Sequence, residues 1–412
     1  MSNFLLCSTE SLNILKRFTR QYTIHTAAGF SVKFFKMTSQ APNKPCVGID
    51  VIPELVVRMY GIQPKDLKPL PGYEDLNFYF QRDTDKNDQC KEDVEADEYV
   101  LKIINARQSA SPEIMDVMET LCAHVRSRGL PNPVTVLNKD GKICSLETFQ
   151  DKHNPNQRND PYLVRLATYI PGVMFLNSPY VSGSFRNVGV LIGKLHTAIA
   201  DGFNHEFYDR KETMPIWRLS ETPKLREYLS IVTDQNDRAC VETVIDEFEF
   251  YVEPQLSDFT PRIIHGDLNE QNLVMRELPD QEHISVDARV HDVTGIIDWA
   301  HTAKTFYVFD VAISIAYLSI ECQESEQLDV GGHILSGYSH YRTLSNVEIN
   351  CLPSLVRCRL IQSLVLCAHA YSENPDNKYL LTTKKRGWPL LRKLVCADDC
   401  KLIENWKKIM SE

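Results

Sequence analysis

Apolar positions recur with a period of two over the early part of the chain and at helical spacing over most of the rest. Leu67–Arg82 predicts two strands about a turn at Pro71-Gly72, the second strand ending in Phe78-Tyr79-Phe80. The acid-rich stretch Asp83–Glu98 has few apolar residues and reads as an exposed hairpin loop. Glu98–Ile104 predicts a third strand whose apolar run is interrupted by Lys102. Pro112–Arg128 places Ile114, Met115, Val117, Met118, Leu121, Cys122 and Val125 at helical spacing. Ser111 stands as the N-cap of that helix, Pro112 at its first position and Gly129 as its stop. Val134–Leu137 and Tyr162–Ile170 predict two more strands, giving the order β-β-β-α-β-β.

Beyond Pro171 the pattern turns mainly helical. Phe185–Ile199 carries Val188, Leu191, Ile192, Leu195 and Ile199 on one face. Further helices are expected over Pro223–Asp234, Asp237–Tyr251, Phe306–Leu318, Leu352–Tyr371 and Leu390–Met410. Two strand-flanked loops interrupt them: Pro261–Met275 reads strand, polar loop, strand, and Gly295–Trp299 ends a second apolar strand. The expected fold class is α+β. A small antiparallel-sheet lobe with one helix spans residues 46–168, and a larger, mainly helical lobe spans 169–412. Residues 1–45 are set apart as a leader.

Composition narrows the function classes. The 412 residues hold 55 acids against 45 Lys and Arg, a net charge of −10. So acidic a chain has no general electrostatic attraction to nucleic acid or to an anionic membrane, and neither is expected as a partner. Twelve cysteines are scattered without a C-x-x-C pair, which suits reduced thiols in an intracellular protein better than a zinc array. No run approaches the ~18 uninterrupted apolar residues of a membrane span. Met1–Lys36 holds Lys16, Arg17, Arg20, Lys33 and Lys36 against one acid, Glu10, and is rich in Ser and Thr. A cytoplasmic protein is expected, or a mitochondrial one where residues 1–36 act as a transit peptide.

Chemistry concentrates in the two loops. His265-Gly-Asp267-Leu-Asn-Glu-Gln-Asn272 sets a carboxylate and a carboxamide five positions apart between apolar strands, and Asp298 closes the later strand. Phosphoryl transfer uses such a set. One carboxylate orients the acceptor hydroxyl and takes its proton, while a carboxamide and a second carboxylate hold Mg²⁺ against the phosphate oxygens. His265 reads as a packed histidine that bonds backbone and holds the loop. Lys102 costs several kcal/mol in an apolar strand unless it meets an anion. A nucleotide phosphate and a carboxylate of the next helix would supply one, and Glu119, on the side of Met115 and Cys122, is the expected partner. Asp310, two turns into an apolar run, reads as a structural acceptor.

A strand lysine, a helix, a hinge, H-G-D-L-N-x-x-N and then I-I-D-W resemble the aminoglycoside phosphotransferase and choline kinase-like branch of the protein kinase-like fold. Within it, L-P-G-Y-E-D-L-N-F, Y-V-L-K-I, V-R-L-A-T-Y-I-P-G and V-G-G-H-I-L-S-G-Y resemble the hydroxylysine kinase group. The resemblance runs from about Val56 to Trp406 and implies a two-lobed kinase. Asp267 would be the catalytic base, with Asn272 and Asp298 the magnesium ligands and Lys102 the phosphate contact. Pro71–Asn77, with Tyr73 and Asn77, would cover the nucleotide, and Thr168–Ile170 would meet its purine. GTP or ATP would be the donor. The acceptor would be an amino alcohol, 5-hydroxylysine first and otherwise of choline, homoserine or aminoglycoside type, with a role in hydroxylysine breakdown. Two departures stand out: the covering loop is P-G-Y-E-D-L-N instead of glycine-rich, and the metal triplet reads Asp298-Trp299-Ala300. The competing reading is a kinase-like protein that binds nucleotide or a partner without chemistry. A protein kinase is disfavoured because no A-P-E-like segment follows Asp298.

Overall fold

The computed structural model describes residues 44–84, 96–149, 161–209, 216–323, 326–373, 375 and 381–412. The leader up to residue 43 and most of the acid-rich loop (85–95) lie outside the described residues. Ala41–Glu412 pack as one unit, so the two lobes share a cleft.

The small lobe opens with helix α1 (Ile52–Tyr60), which the strand pattern does not announce. Six strands follow: β1 (Pro64–Leu70), β2 (Leu76–Arg82), β3 (Glu98–Ile103), β4 (Thr135–Val136), β5 (Ser145–Thr148) and β6 (Pro161–Thr168). They form one antiparallel sheet in the order β1-β2-β3-β6-β4, with β5 also on β6. Two helices intervene, short α2 (Ala106–Ser109) and the expected α3 (Glu113–Ser127). Helix α2 begins where the Asn105 side chain accepts from the Gln108 N–H. Helix α3 starts one residue later than expected: Pro112 stands at the cap position and no side chain caps it.

Alternation along β3 decides what the sheet does. Tyr99, Leu101 and Ile103 are fully buried, against Ile52, Val56 and Ile62 beneath the sheet. Lys102 therefore leaves by the opposite face, where its cross-strand neighbours are Asn77 and Arg165. It faces the cleft, not the apolar interior its sequence neighbours suggest. No burial penalty of core size arises, and 23% of its side chain stays exposed.

In the large lobe, β7 (Val173–Met174) pairs with β9 (Leu273–Glu277), which pairs with β10 (His291–Ile296). Strands β8 (Pro261–Ile264) and β11 (Ala303–Phe306) form a separate ribbon. Around them stand helices α4 (Ser182–Ala200), α5 (Gln235–Glu247), α6 (Tyr307–Glu321), α7 (Val330–Tyr338), α8 (Asn346–Glu373), α9 (Lys384–Val395) and α10 (Asp399–Ser411). The helix expected over Pro223–Asp234 is instead a 3₁₀ segment, Leu219–Ile231, with Pro223 inside. The helix expected over Leu390–Met410 is two helices, the second started by the Asp398 side chain accepting from the Lys401 N–H. Helices α4 and α7 cross at backbone contact: a Cβ at Gly189 would fall 1.9 Å from the Ile334 carbonyl oxygen, and one at Gly337 1.9 Å from that of Arg186. Helix α8 is long and apolar enough to cross a membrane, but 89% of its apolar window is buried inside this lobe.

Candidate active site

The catalytic-type loop runs from β8 to β9 and is fixed from below. Asp310 of α6, fully buried, accepts the backbone N–H groups of His265 (3.0 Å) and Gly266 (2.8 Å), and His196 donates to the same carboxylate (3.1 Å). Gly266 turns at φ +82°, and a side chain there would meet the His301 carbonyl at 2.4 Å. His265 is buried. Its Nε2 donates to the Ile297 carbonyl (3.1 Å), its Nδ1 accepts from the Asp267 N–H (3.3 Å), and burial pushes its pKa down. It holds the loop, as its packed reading requires, and Asp310 is the structural acceptor.

Both oxygens of Asp267 are engaged. Oδ1 accepts from Arg359 Nη2 at 2.6 Å, and Oδ2 from the side-chain amides of Asn269 and Asn272, each at 3.0 Å. Asn272 also donates to the Asp267 carbonyl (2.8 Å), so its amide nitrogen faces Asp267. The Ile297 N–H donates to the Asn272 carbonyl (3.0 Å), which brings Asp298 alongside. Asp298 turns at φ +61°. Lys102 Nζ stands 3.7 Å from its carboxylate and 3.9 Å from that of Asp75. Lys102 in turn holds the Asp298 carboxyl below its usual range.

Glu119 does not stand beside Lys102. It is taken by Arg126 and by the Thr135 hydroxyl, and Thr135 in turn accepts from Arg165 (3.2 Å). An arginine two helical turns along α3 offers Glu119 a nearer cation than the sheet does. The carboxylates at Lys102 come instead from the covering loop and the metal-type strand. The covering turn is closed by Asn77, whose amide donates to the Pro71 carbonyl (3.2 Å), and by Lys44, which donates to the Gly72 carbonyl (2.7 Å). Asp75 is latched by the N–H (2.9 Å) and side chain (3.0 Å) of Asn105. Tyr73 leaves the Lys102 group: its ring stands edge-on to Trp217, centroids 6.0 Å apart. In the hinge, Thr168 and Val134 exchange hydrogen bonds, and Ile170 packs over Gly295 of β10.

Residues 66–344 match the profile of the phosphotransferase enzyme family. Hydroxylysine kinases of Xenopus laevis and Mus musculus are each 32% identical to the chain, covering 85% and 89% of it and 91% and 94% of their own lengths. A homoserine kinase of Rhizobium meliloti is 25% identical over 63% of the chain and 68% of its own length. Among solved structures, an amicoumacin kinase in complex with AMP-PNP and Ca²⁺ superposes with TM-score 0.60 at 16% identity, over 86% of this chain and 97% of that one. A microcompartment-associated aminopropanol kinase does so with TM-score 0.56, over 84% and 97%. The chain belongs to the phosphotransferase enzyme family. It is a small-molecule kinase that phosphorylates an alcohol group.

Membership in the phosphotransferase family gives the donor set a meaning. The amide nitrogen of Asn272 is spent on Asp267, which leaves its side-chain oxygen, with the Asp298 carboxylate, as two hard oxygen donors at the paired ends of β9 and β10. Magnesium binds through one or two protein carboxylates or carbonyls plus phosphates and water, so this pair fits it. Among the described residues no cluster of three or more His, Cys, Asp or Glu side chains offers a competing metal site. Sequence reasoning did not single out Asp75, Asn105, Trp217 or Arg359. Arg359 gave the same signal that picked out Lys102, a cation inside an apolar run, here Leu352–Tyr371.

Proposed function

We propose that this phosphotransferase carries the γ-phosphoryl group of GTP to the side-chain hydroxyl of 5-hydroxylysine, in the breakdown of that amino acid. The observation that carries the reading is the continuous set Asp267, Asn272, Asp298 and Lys102 along the cleft, in a chain 32% identical to hydroxylysine kinases over most of its length. Asp267 orients the acceptor hydroxyl and takes its proton as the new oxygen–phosphorus bond forms, while the bond from the γ-phosphorus to the β–γ bridging oxygen breaks and GDP leaves. Its two oxygens are aimed by Arg359, Asn269 and Asn272, so the carboxylate is positioned before the acceptor arrives. Lys102 neutralises donor phosphate, relieving a cation otherwise flanked by two carboxylates. Asn272 and Asp298 would hold magnesium, which neutralises phosphate oxygens when bound. The hinge backbone at Thr168–Ile170 meets the purine, where a mismatched buried carbonyl or N–H costs about 1–3 kcal/mol and separates GTP from ATP. The homoserine kinase likeness favours homoserine as the second acceptor.

Steady-state assays with hydroxylysine, homoserine, choline and an aminoglycoside, each with GTP and ATP, test this. Hydroxylysine with GTP is expected to give the highest kcat/KM, and lysine to inhibit without reacting. Equal values for choline and hydroxylysine would exclude the proposed acceptor. Asp267→Asn is expected to lower kcat at least about 100-fold. Alanine is the poorer probe, since it strands the buried Arg359 charge at a cost of about 3–5 kcal/mol.

A further inference from the structure

Arg359 and Gln362 lie one turn apart on α8, 1% and 0% exposed. Both side chains reach the same three residues. Arg359 Nη1 donates to the Trp217 carbonyl (3.0 Å), and Gln362 Nε2 to those of Ile216 (3.1 Å) and Arg218 (2.7 Å). Each then retains a buried polar atom with no partner: Arg359 Nε, a donor, and Gln362 Oε1, an acceptor. A clamp that only pins residues 216–218 to α8 explains the three hydrogen bonds. It does not explain two leftover groups of opposite hydrogen-bonding sense, each costing about 1–3 kcal/mol while unfilled. Nor does it explain why the arginine touches Asp267 at 2.6 Å.

The surroundings are those of a charged ligand. The Arg359 guanidinium lies 5.2 Å from the Trp217 ring centroid and 5.3 Å from that of Tyr317, so aromatic faces flank it. Tyr73 of the covering loop stands edge-on to Trp217. A carboxylate seeks a planar cation with a spare N–H, and an ammonium seeks a spare carbonyl oxygen beside aromatic faces. A spare N–H on Arg359 and a spare carbonyl oxygen on Gln362 are present within one helical turn, and Arg359 touches the carboxylate that orients the hydroxyl.

We propose that Arg359 and Gln362 are specificity residues that read the amino-acid end of the acceptor, Arg359 its α-carboxylate and Gln362 its α-ammonium. This rests on the kinase reading above and deepens it: the acceptor is a hydroxy amino acid, and an amino alcohol without a carboxylate leaves Arg359 unfilled. Such a site rejects the analogue lacking the polar group more strongly than an apolar pocket rejects a missing methylene.

The test compares 5-hydroxylysine with 1,5-diaminopentan-2-ol, which keeps the hydroxyl and both amines and lacks the carboxylate. The wild-type enzyme is expected to favour hydroxylysine by about 100-fold or more in kcat/KM. Arg359→Met should erase most of that preference, Arg359→Lys keep part of it, and Gln362→Met raise the KM for hydroxylysine about 10-fold. The ratio between acceptors is the readout because any loss through Asp267 lowers both alike. An unchanged ratio in Arg359→Met would overturn the proposal and leave Arg359 a positioning residue for Asp267. Should that variant not fold, the wild-type ratio decides, and equal use of both acceptors overturns the proposal. A wild-type enzyme that phosphorylates neither acceptor with either purine triphosphate overturns the hydroxylysine reading, and the inference with it.

Discussion

Glu270 shows how much a single side chain in the catalytic-type loop is strained by its surroundings. It is 8% exposed, its Oε2 has no partner, and Oε1 receives the Gln271 amide at 3.3 Å. Burial raises its pKa from 4.5 to about 7. The folded state therefore keeps this proton to higher pH than the unfolded chain does, and stability falls as pH rises between those values. A shift of that size corresponds to about 3 kcal/mol lost above pH 7 and nothing lost below pH 4. Glu270→Gln removes the titration while keeping the shape. We expect it to raise Tm at pH 8 by several degrees and to leave Tm near pH 4.5 little changed, as read by thermal melts at both pH values. A loss of stability at pH 8 would mean that the carboxylate is needed ionised. Lys102 makes the opposite case: its flanking anions hold it in place, and its companion Asp298 is kept charged.

At the scale of elements, the loop between β8 and β9 depends on α6. Asp310 supplies acceptors for two loop N–H groups and for His196, whose own pKa is pushed down by burial so that it stays neutral. Asp310→Asn exchanges one acceptor oxygen for an N–H₂ that faces donors. We expect a loss of about 2–4 kcal/mol in stability and a kcat lowered more than 10-fold, with nucleotide affinity within about threefold of wild type. Calorimetric titration of nucleotide beside turnover checks this, and a variant with normal kcat would release the loop from Asp310. This dependence was half legible in the sequence, since a lone Asp in an apolar helix signals a buried acceptor but not what it accepts from. Strong local patterns were read correctly: the strand pair at Leu67–Arg82, helix α3 and the loop with its flanking strands. Where partners far along the chain decide, the pattern misled. Gly331, Gly332 and Gly337 argue against a helix locally, yet α7 forms because Gly337 admits α4 at backbone contact. Glu119 failed for a local reason: it was assigned by its helix face, but Arg126 on its own helix claims it.

Across the whole molecule, the site joins a strand lysine, a loop aspartate and a helix arginine 92 positions beyond that aspartate. Each motif was readable alone. Their meeting is a property of the packed lobes, which is why the gathering of Trp217, Arg359 and Gln362 beside Asp267 could not be read from the sequence. The same scale governs the N-terminal segment. Lys44 donates to the Gly72 carbonyl, so the chain just after the basic leader already braces the covering turn that lacks the usual glycines. No periodic apolar face in Met1–Lys36 has an obvious core partner, and its deletion is expected to leave Tm and kcat/KM unchanged. A reporter fused to it is expected to stay cytosolic, and mitochondrial import would identify it as a transit peptide. Deletion through Pro45 is a different operation, because it removes Lys44 from the nucleotide loop. One hydrogen bond in a half-buried setting is worth about 0.5–1.5 kcal/mol net, so the KM for the purine triphosphate should rise about 2- to 10-fold with the KM for the acceptor little changed. Lys44→Ala in the full chain should reproduce that rise. If the longer deletion raises the KM for the nucleotide and Lys44→Ala does not, the bracing comes from the neighbouring backbone instead of the lysine.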